Sequence, residues 1–192
     1  MNFGLLFFQF LPLLIYILVD YFKGFKAGIL AAIGAALFML VWDYATTGTI
    51  DQFSLGESFL IVLLGVISLK MDNERFFKFQ PTVTALVIAG VFAFFEFRGE
   101  PLMIRYIPQM EKIFAGKGPA TGDVKVFLDH LHDPQMLKTM ARLSRAMIFL
   151  FLGHAAIMAY AALFWSTGKW FAWRLAVYPG LCIVTMVVAM TS

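Results

Sequence analysis

The chain has 192 residues, of which 61% are hydrophobic and 14% charged, with a mean hydropathy of +0.82 and a formal net charge of +3. Soluble domains carry about 45–50% apolar and about 25% charged residues, so a water-soluble globule of this size is excluded. The mild positive charge suits an anionic membrane surface and does not build the basic soluble face that a nucleic-acid binder needs.

The apolar residues fall in blocks, and a helix crosses a ~30 Å hydrocarbon layer with about 20 of them. Six blocks recur along the chain, with ionisable residues almost confined to their ends. Alternating barrel strands would leave a shorter, dyad pattern. The sequence therefore predicts an all-α polytopic transmembrane helix bundle of about six spans, one membrane domain over residues 1–192.

The first block, Phe3–Phe22, lacks a basic leader and a small-residue cleavage site, so it is expected to stay as an anchor. The second, Phe25–Trp42, opens beside Gly24, and Gly24, Gly28, Ala32 and Ala36 recur every four residues. That spacing puts small side chains on one helix face, a seam for close helix packing within the chain or against another copy. The third and fourth blocks are Phe53–Leu69 and Pro81–Phe97. Asp20 with Lys23, and Glu96 with Arg98, are expected to pair at span ends.

Residues 98–145 are the one long connection and hold eight of the fifteen Lys and Arg residues, Arg105 and Arg142 among them. Leu102–Phe114 reads as an interfacial helix interrupted at Pro108, Ala115–Gly122 as a Gly/Pro-rich loop, and Asp123 as the cap of a short helix. Asp133-Pro134 is a second start signal, for a helix running through Met140 and Arg142 into the fifth block, Ala146–Trp165. The last block, Phe171–Met190, contains Pro179 and the single cysteine, Cys182, which rules out an intrachain disulfide. The basic residues divide almost evenly between the two sides, so charge counting does not set the orientation.

Candidate chemistry is sparse. His154 lies near the middle of the fifth block, where an ionisable residue is a functional candidate by default, but a neutral imidazole with one hydrogen bond also satisfies the position. Asp129, His130, His132 and Asp133 lack the i, i+4 spacing of a helical zinc pair, and Gly116-Lys117-Gly118 lacks the spacing of a nucleotide loop. No catalytic apparatus, metal site or cofactor is expected.

One stretch is more specific: Asn73-Glu74-Arg75-Phe76-Phe77-Lys78-Phe79-Gln80-Pro81-Thr82-Val83. It resembles the signature of the bacterial intracellular septation protein A family, in which an acidic/amide pair, aromatics with a lysine and then Pro-Thr-Val lead into a span. Lys78 and the aromatics suit the headgroup belt, and Pro81 suits a helix start. Phe10-Leu11-Pro12-Leu13, Gly99-Glu100-Pro101-Leu102 with Arg105, Arg142-Leu143-Ser144, Tyr160 and Trp170 extend the likeness in the same order. The chain departs from the pattern at Gln80, Glu100 and Met158, and around Lys117–Met140, which is longer than usual.

The resemblance implies a non-enzymatic multi-pass protein of the bacterial inner membrane, supporting cell-envelope integrity and septation. Both termini and the long fourth loop would be cytoplasmic. Partners would be membrane lipids, other inner-membrane or division and envelope proteins, and a second copy of the chain, but no nucleic acid. Two other expectations stand beside it: a small transporter or lipid-handling protein, and an accessory subunit of a larger membrane complex.

Overall fold

The computed structural model describes residues 11–49, 52–109, 111, 130 and 132–191. The helices among them are α1 (Leu11–Lys23), α2 (Phe25–Thr47), α3 (Gln52–Lys70), α4 (Arg75–Lys78), α5 (Gln80–Phe97), α6 (Leu102–Arg105), α7 (Pro134–Phe164) and α8 (Thr167–Thr191). The described residues contain no strand. The first part of the first block, the Ala115–Gly122 loop and the helix expected after Asp123 lie outside the described residues.

Three segments are long and apolar enough to cross a bilayer: Phe25–Thr46, Arg75–Phe97 and Pro134–Phe164. The other expected spans correspond to α1, α3 and α8. Several helices outrun their apolar blocks, α2 by five residues at its C-terminus and α7 by twelve at its N-terminus. Backbone hydrogen bonds continue past the point where hydropathy falls, because polar side chains at a helix end are solvated while the ladder is still intact. α7 starts at Pro134, with the Leu137 N–H donating to the Asp133 carbonyl at 3.0 Å.

The helix ends follow the local sequence. Gly24 and Gly48 flank α2 with φ of +82° and +71°, a conformation that costs side-chain-bearing residues about 1–2 kcal/mol. Gly48 closes the helix by donating its N–H to the Tyr44 carbonyl at 2.9 Å. α6 stops at Arg105 because Pro108 has no N–H for the Ile104 carbonyl.

The chain divides into two compact units. Residues 1–84 with 157–174 form the first, whose core gathers Leu13, Tyr16, Ile29, Ala32, Ile61, Phe77, Met158 and Trp170. Residues 85–156 with 175–192 form the second, around Ala85, Ala89, Leu150, Phe151 and Ala155. Both cores mix alanine with large residues, as expected where helices pack by close approach and van der Waals contact.

Candidate functional site

The small-residue seam lies inside the first unit. A Cβ on Gly28 would sit 2.9 Å from the Tyr16 carbonyl oxygen and 3.1 Å from the Asp20 Cβ, so α1 rests directly on α2 there. Ala32 and Ala36 are buried on the same face. Gly65 of α3 approaches from another side, with Ile33 Cδ1 2.9 Å from where its Cβ would be. Gly24 differs from its seam-mates. No atom of the described residues lies within 4 Å of its Cβ position, and its positive φ is what calls for glycine.

The signature segment builds a tight corner after α3. Ser68 Oγ donates to the Asn73 carbonyl at 2.5 Å, and the Asn73 N–H returns to the Ser68 carbonyl at 3.0 Å. Asn73 Oδ1 accepts the Arg75 N–H at 3.0 Å, an Asx turn that launches α4. Asp72 carries the corner's positive φ of 50° and pairs with Lys26 at 2.8 Å.

Lys78 and its neighbours turn inward against the protein, a direction that the headgroup-belt reading of this segment does not contain. Phe77 and Lys78 are each 1% exposed, and Gln80, Pro81 and Thr82 are buried; Phe76 is half-buried. Hydropathy reports how much charge a segment carries but not the direction of each side chain, and a lysine stem is apolar enough to lie inside. The ammonium is 2.5 Å from Glu74 Oε1 and reaches the Trp165 carbonyl at 3.5 Å. Glu74 Oε2 accepts a hydrogen bond from Thr167 Oγ1 at 3.1 Å. Tyr16 packs against Phe77 in a tilted arrangement, with ring centroids 4.6 Å apart and planes at 47°. Its buried hydroxyl finds no partner among the described residues, although Thr167 lies beside it. Asp20 faces Glu74 and Lys78.

A second polar centre lies in the same unit. Gln80 Nε2 donates to Glu57 Oε1 at 3.4 Å, Arg174 Nη1 donates to Gln80 Oε1 at 3.4 Å, and Arg174 Nη2 stands 3.9 Å from Glu57 Oε1. The arginine side chain is 12% exposed and the glutamate 25%. The guanidinium also lies over the Trp170 ring, 5.7 Å from its centroid. Asp43, Ser54 and Ser58 line a small cleft of about 30 Å³ that reaches Glu57, room for no more than a water or two.

The sequence reading does not contain this triad. Its signal is the presence of opposite charges four and three residues inside two apolar blocks, at Glu57 and Arg174. Which faces those residues share is settled only by tertiary packing.

The remaining candidates lie in the second unit. Glu96 pairs with Arg145 of α7 at 2.7 Å, and not with Arg98, whose guanidinium lies over the Phe94 ring at 5.7 Å. A residue two places on points away along a helix end, whereas Arg145 reaches across to the carboxylate. Arg105 pairs with Glu100 at 2.7 Å and lies over the Phe95 ring at 5.1 Å. Arg142 is exposed and His154 is buried within α7. Ser144 is buried and accepts the Met103 N–H at 3.0 Å. Of the metal-like residues, Asp129 lies outside the described residues, and His132 Nδ1 is 3.5 Å from Glu111.

The family model described as intracellular septation protein A matches residues 5–114. The chain is 23% identical over 179 residues to the inner membrane-spanning protein YciB of Acidithiobacillus ferrooxidans, covering 93% of this chain and 84% of that protein. Its counterpart of the same name in Methylobacillus flagellatus is 24% identical over 176 residues, covering 92% and 87%. The one in Nitrosospira multiformis is 25% identical over 180 residues, covering 94% and 88%. No solved structure matches.

Proposed function

Because the chain belongs to the intracellular septation protein A family, we propose that it is a multi-pass protein of the bacterial inner membrane that supports envelope integrity and septation. It does so without chemistry of its own, through contacts with lipids and with other envelope or division proteins. The relatives' shared name, inner membrane-spanning protein, supports the location. Six spans, with the α7 entry segment on the cytoplasmic side, complete the reading.

One observation carries the non-enzymatic part. The polar side chains of the signature engage one another and the backbone: Asn73 with Ser68, Glu74 with Lys78 and Thr167, Gln80 with Glu57 and Arg174. Groups so engaged lock helices together and are not held ready for a substrate. Large apolar residues such as Phe38, Trp42, Phe59, Leu86, Phe94 and Phe149 meanwhile face outward, where lipid or the helices of a partner would cover them.

Gentle detergent extraction of the tagged chain from its native membrane, followed by mass analysis, should recover envelope or division proteins, and a deletion strain should show altered septation or envelope leakage. Recovery of no such partner together with normal morphology would overturn the proposal.

The Glu57–Gln80–Arg174 centre favours one second reading, passage of a small solute. A permanently charged guanidinium opposes cations, so the solute would be neutral or anionic. Flux into reconstituted vesicles, lost in Arg174→Leu, would mark that activity, and sealed vesicles would dismiss it.

A further inference from the structure

The second unit contains a cleft of about 440 Å³. Its walls differ in kind. Val91 and Phe95, one turn apart on α5, and Leu102 form an apolar wall; Arg105, Tyr106 and Gln109, on the segment that follows, form a polar one. Val91 lies ~9 Å below the end of α5 at 1.5 Å per residue, so the apolar wall runs down into the hydrocarbon and the polar wall stands at its edge. The volume lies within the ~300–1,000 Å³ typical of small-molecule sites.

Arg105 is poised within this cleft. Its guanidinium carbon lies over the Phe95 ring, 5.1 Å from the centroid, and among the described residues its fork bonds Glu100 through Nη1 alone, at 2.7 Å. A guanidinium carries five N–H donors in a planar fork. A monodentate carboxylate leaves most of them free, and the fork matches the oxygens of a phosphate.

We propose that this cleft binds the headgroup of an anionic glycerophospholipid, with its phosphate on Arg105 and its first acyl carbons against Val91, Phe95 and Leu102. The positive charge at the rim calls for an anion, and the apolar wall continuous with a membrane-crossing helix selects a lipid over a free one. The inference rests on the lipid-contacting half of the reading above and is independent of septation. A test on purified protein therefore fails or succeeds separately from the partner and morphology tests.

The full-length protein in neutral detergent is titrated with dioleoyl phosphatidylglycerol, dioleoyl phosphatidylcholine or inorganic phosphate, and thermal unfolding is followed. Phosphatidylglycerol should raise the melting temperature saturably, with a midpoint several-fold lower than phosphatidylcholine, and phosphate alone should have no such effect. Arg105→Gln should shift the phosphatidylglycerol midpoint about tenfold, the scale of one charge-assisted hydrogen bond. Glu100→Gln, which removes the competing carboxylate, should tighten binding, an effect that a purely structural Arg105–Glu100 pair would not give. Equal midpoints for the two lipids, a shift that never saturates, an unchanged Arg105→Gln, weaker binding in Glu100→Gln or an equal response to phosphate alone would each overturn the proposal. So would the absence of any lipid response.

Discussion

Lys78 Nζ lies 2.5 Å from Glu74 Oε1, one helical turn back, yet the two partners are unequal: the lysine is 1% exposed and the glutamate 36%. The pair holds the signature segment against Thr167 and the Trp165 carbonyl. The inequality decides how each partner responds to substitution.

Removing the carboxylate leaves a buried ammonium with Asp20 nearby and a carbonyl at 3.5 Å but no direct ion pair, whereas removing the ammonium leaves a carboxylate that water can reach. Glu74→Ala should therefore destabilise by about 2–4 kcal/mol and Lys78→Met by about 1 kcal/mol. The double variant should be more stable than Glu74→Ala alone. Thermal unfolding in detergent of the three proteins reads this order, and a reversal would show that the lysine is less enclosed than its geometry indicates.

The two glycines of α2 that are neither caps nor alike give a matched pair. At Gly28 a methyl group would meet the α1 backbone at 2.9 Å, and at Gly34 it would meet nothing within 4 Å among the described residues. Gly28→Ala should cost about 1–3 kcal/mol through overpacking. Gly34→Ala should be neutral or stabilise by up to about 1 kcal/mol. Similar melting temperatures for the two variants would refute the close approach.

The Glu57–Gln80–Arg174 centre should behave as a coupled unit. Glu57→Leu leaves the less exposed guanidinium with Gln80 and the Trp170 ring but no counter-charge, and should be worse than Arg174→Leu. The double-mutant cycle should return a coupling of about 1–3 kcal/mol. Additive losses would mean that the 3.9 Å separation carries no interaction.

Ser144 supplies a partner to the Met103 N–H, one of the first donors of α6, whose N-cap residue Pro101 offers no side-chain acceptor. Ser144→Ala should speed hydrogen exchange at the Met103 amide about fivefold to tenfold, the equivalent of ~1 kcal/mol. Global melting should move little. Unchanged exchange would mean that the amide is protected by something else.

The helices were legible because lipid demands long apolar runs, and the Asp133-Pro134 start of α7 and the arrest of α6 ahead of Pro108 follow from backbone chemistry that any sequence displays. Directions were harder. The seam reading placed Gly24 with Gly28 by spacing, yet one serves a backbone angle and the other a contact. The likeness to a family locates the Asn73–Thr82 segment, but the inward direction of Lys78 is not legible there, because composition does not say which way a lysine points. Glu57, Gln80 and Arg174 meet across 23 and 94 residues, a separation at which no periodicity speaks.

At 1.5 Å per residue the 31-residue α7 is about 46 Å long, against a hydrocarbon thickness of ~30 Å. Roughly a third of it must stand clear of the oil as a rigid mast, with Arg142 and Arg145 near the waterline. A change in bilayer thickness that tilts this rod would swing its far end through several ångströms.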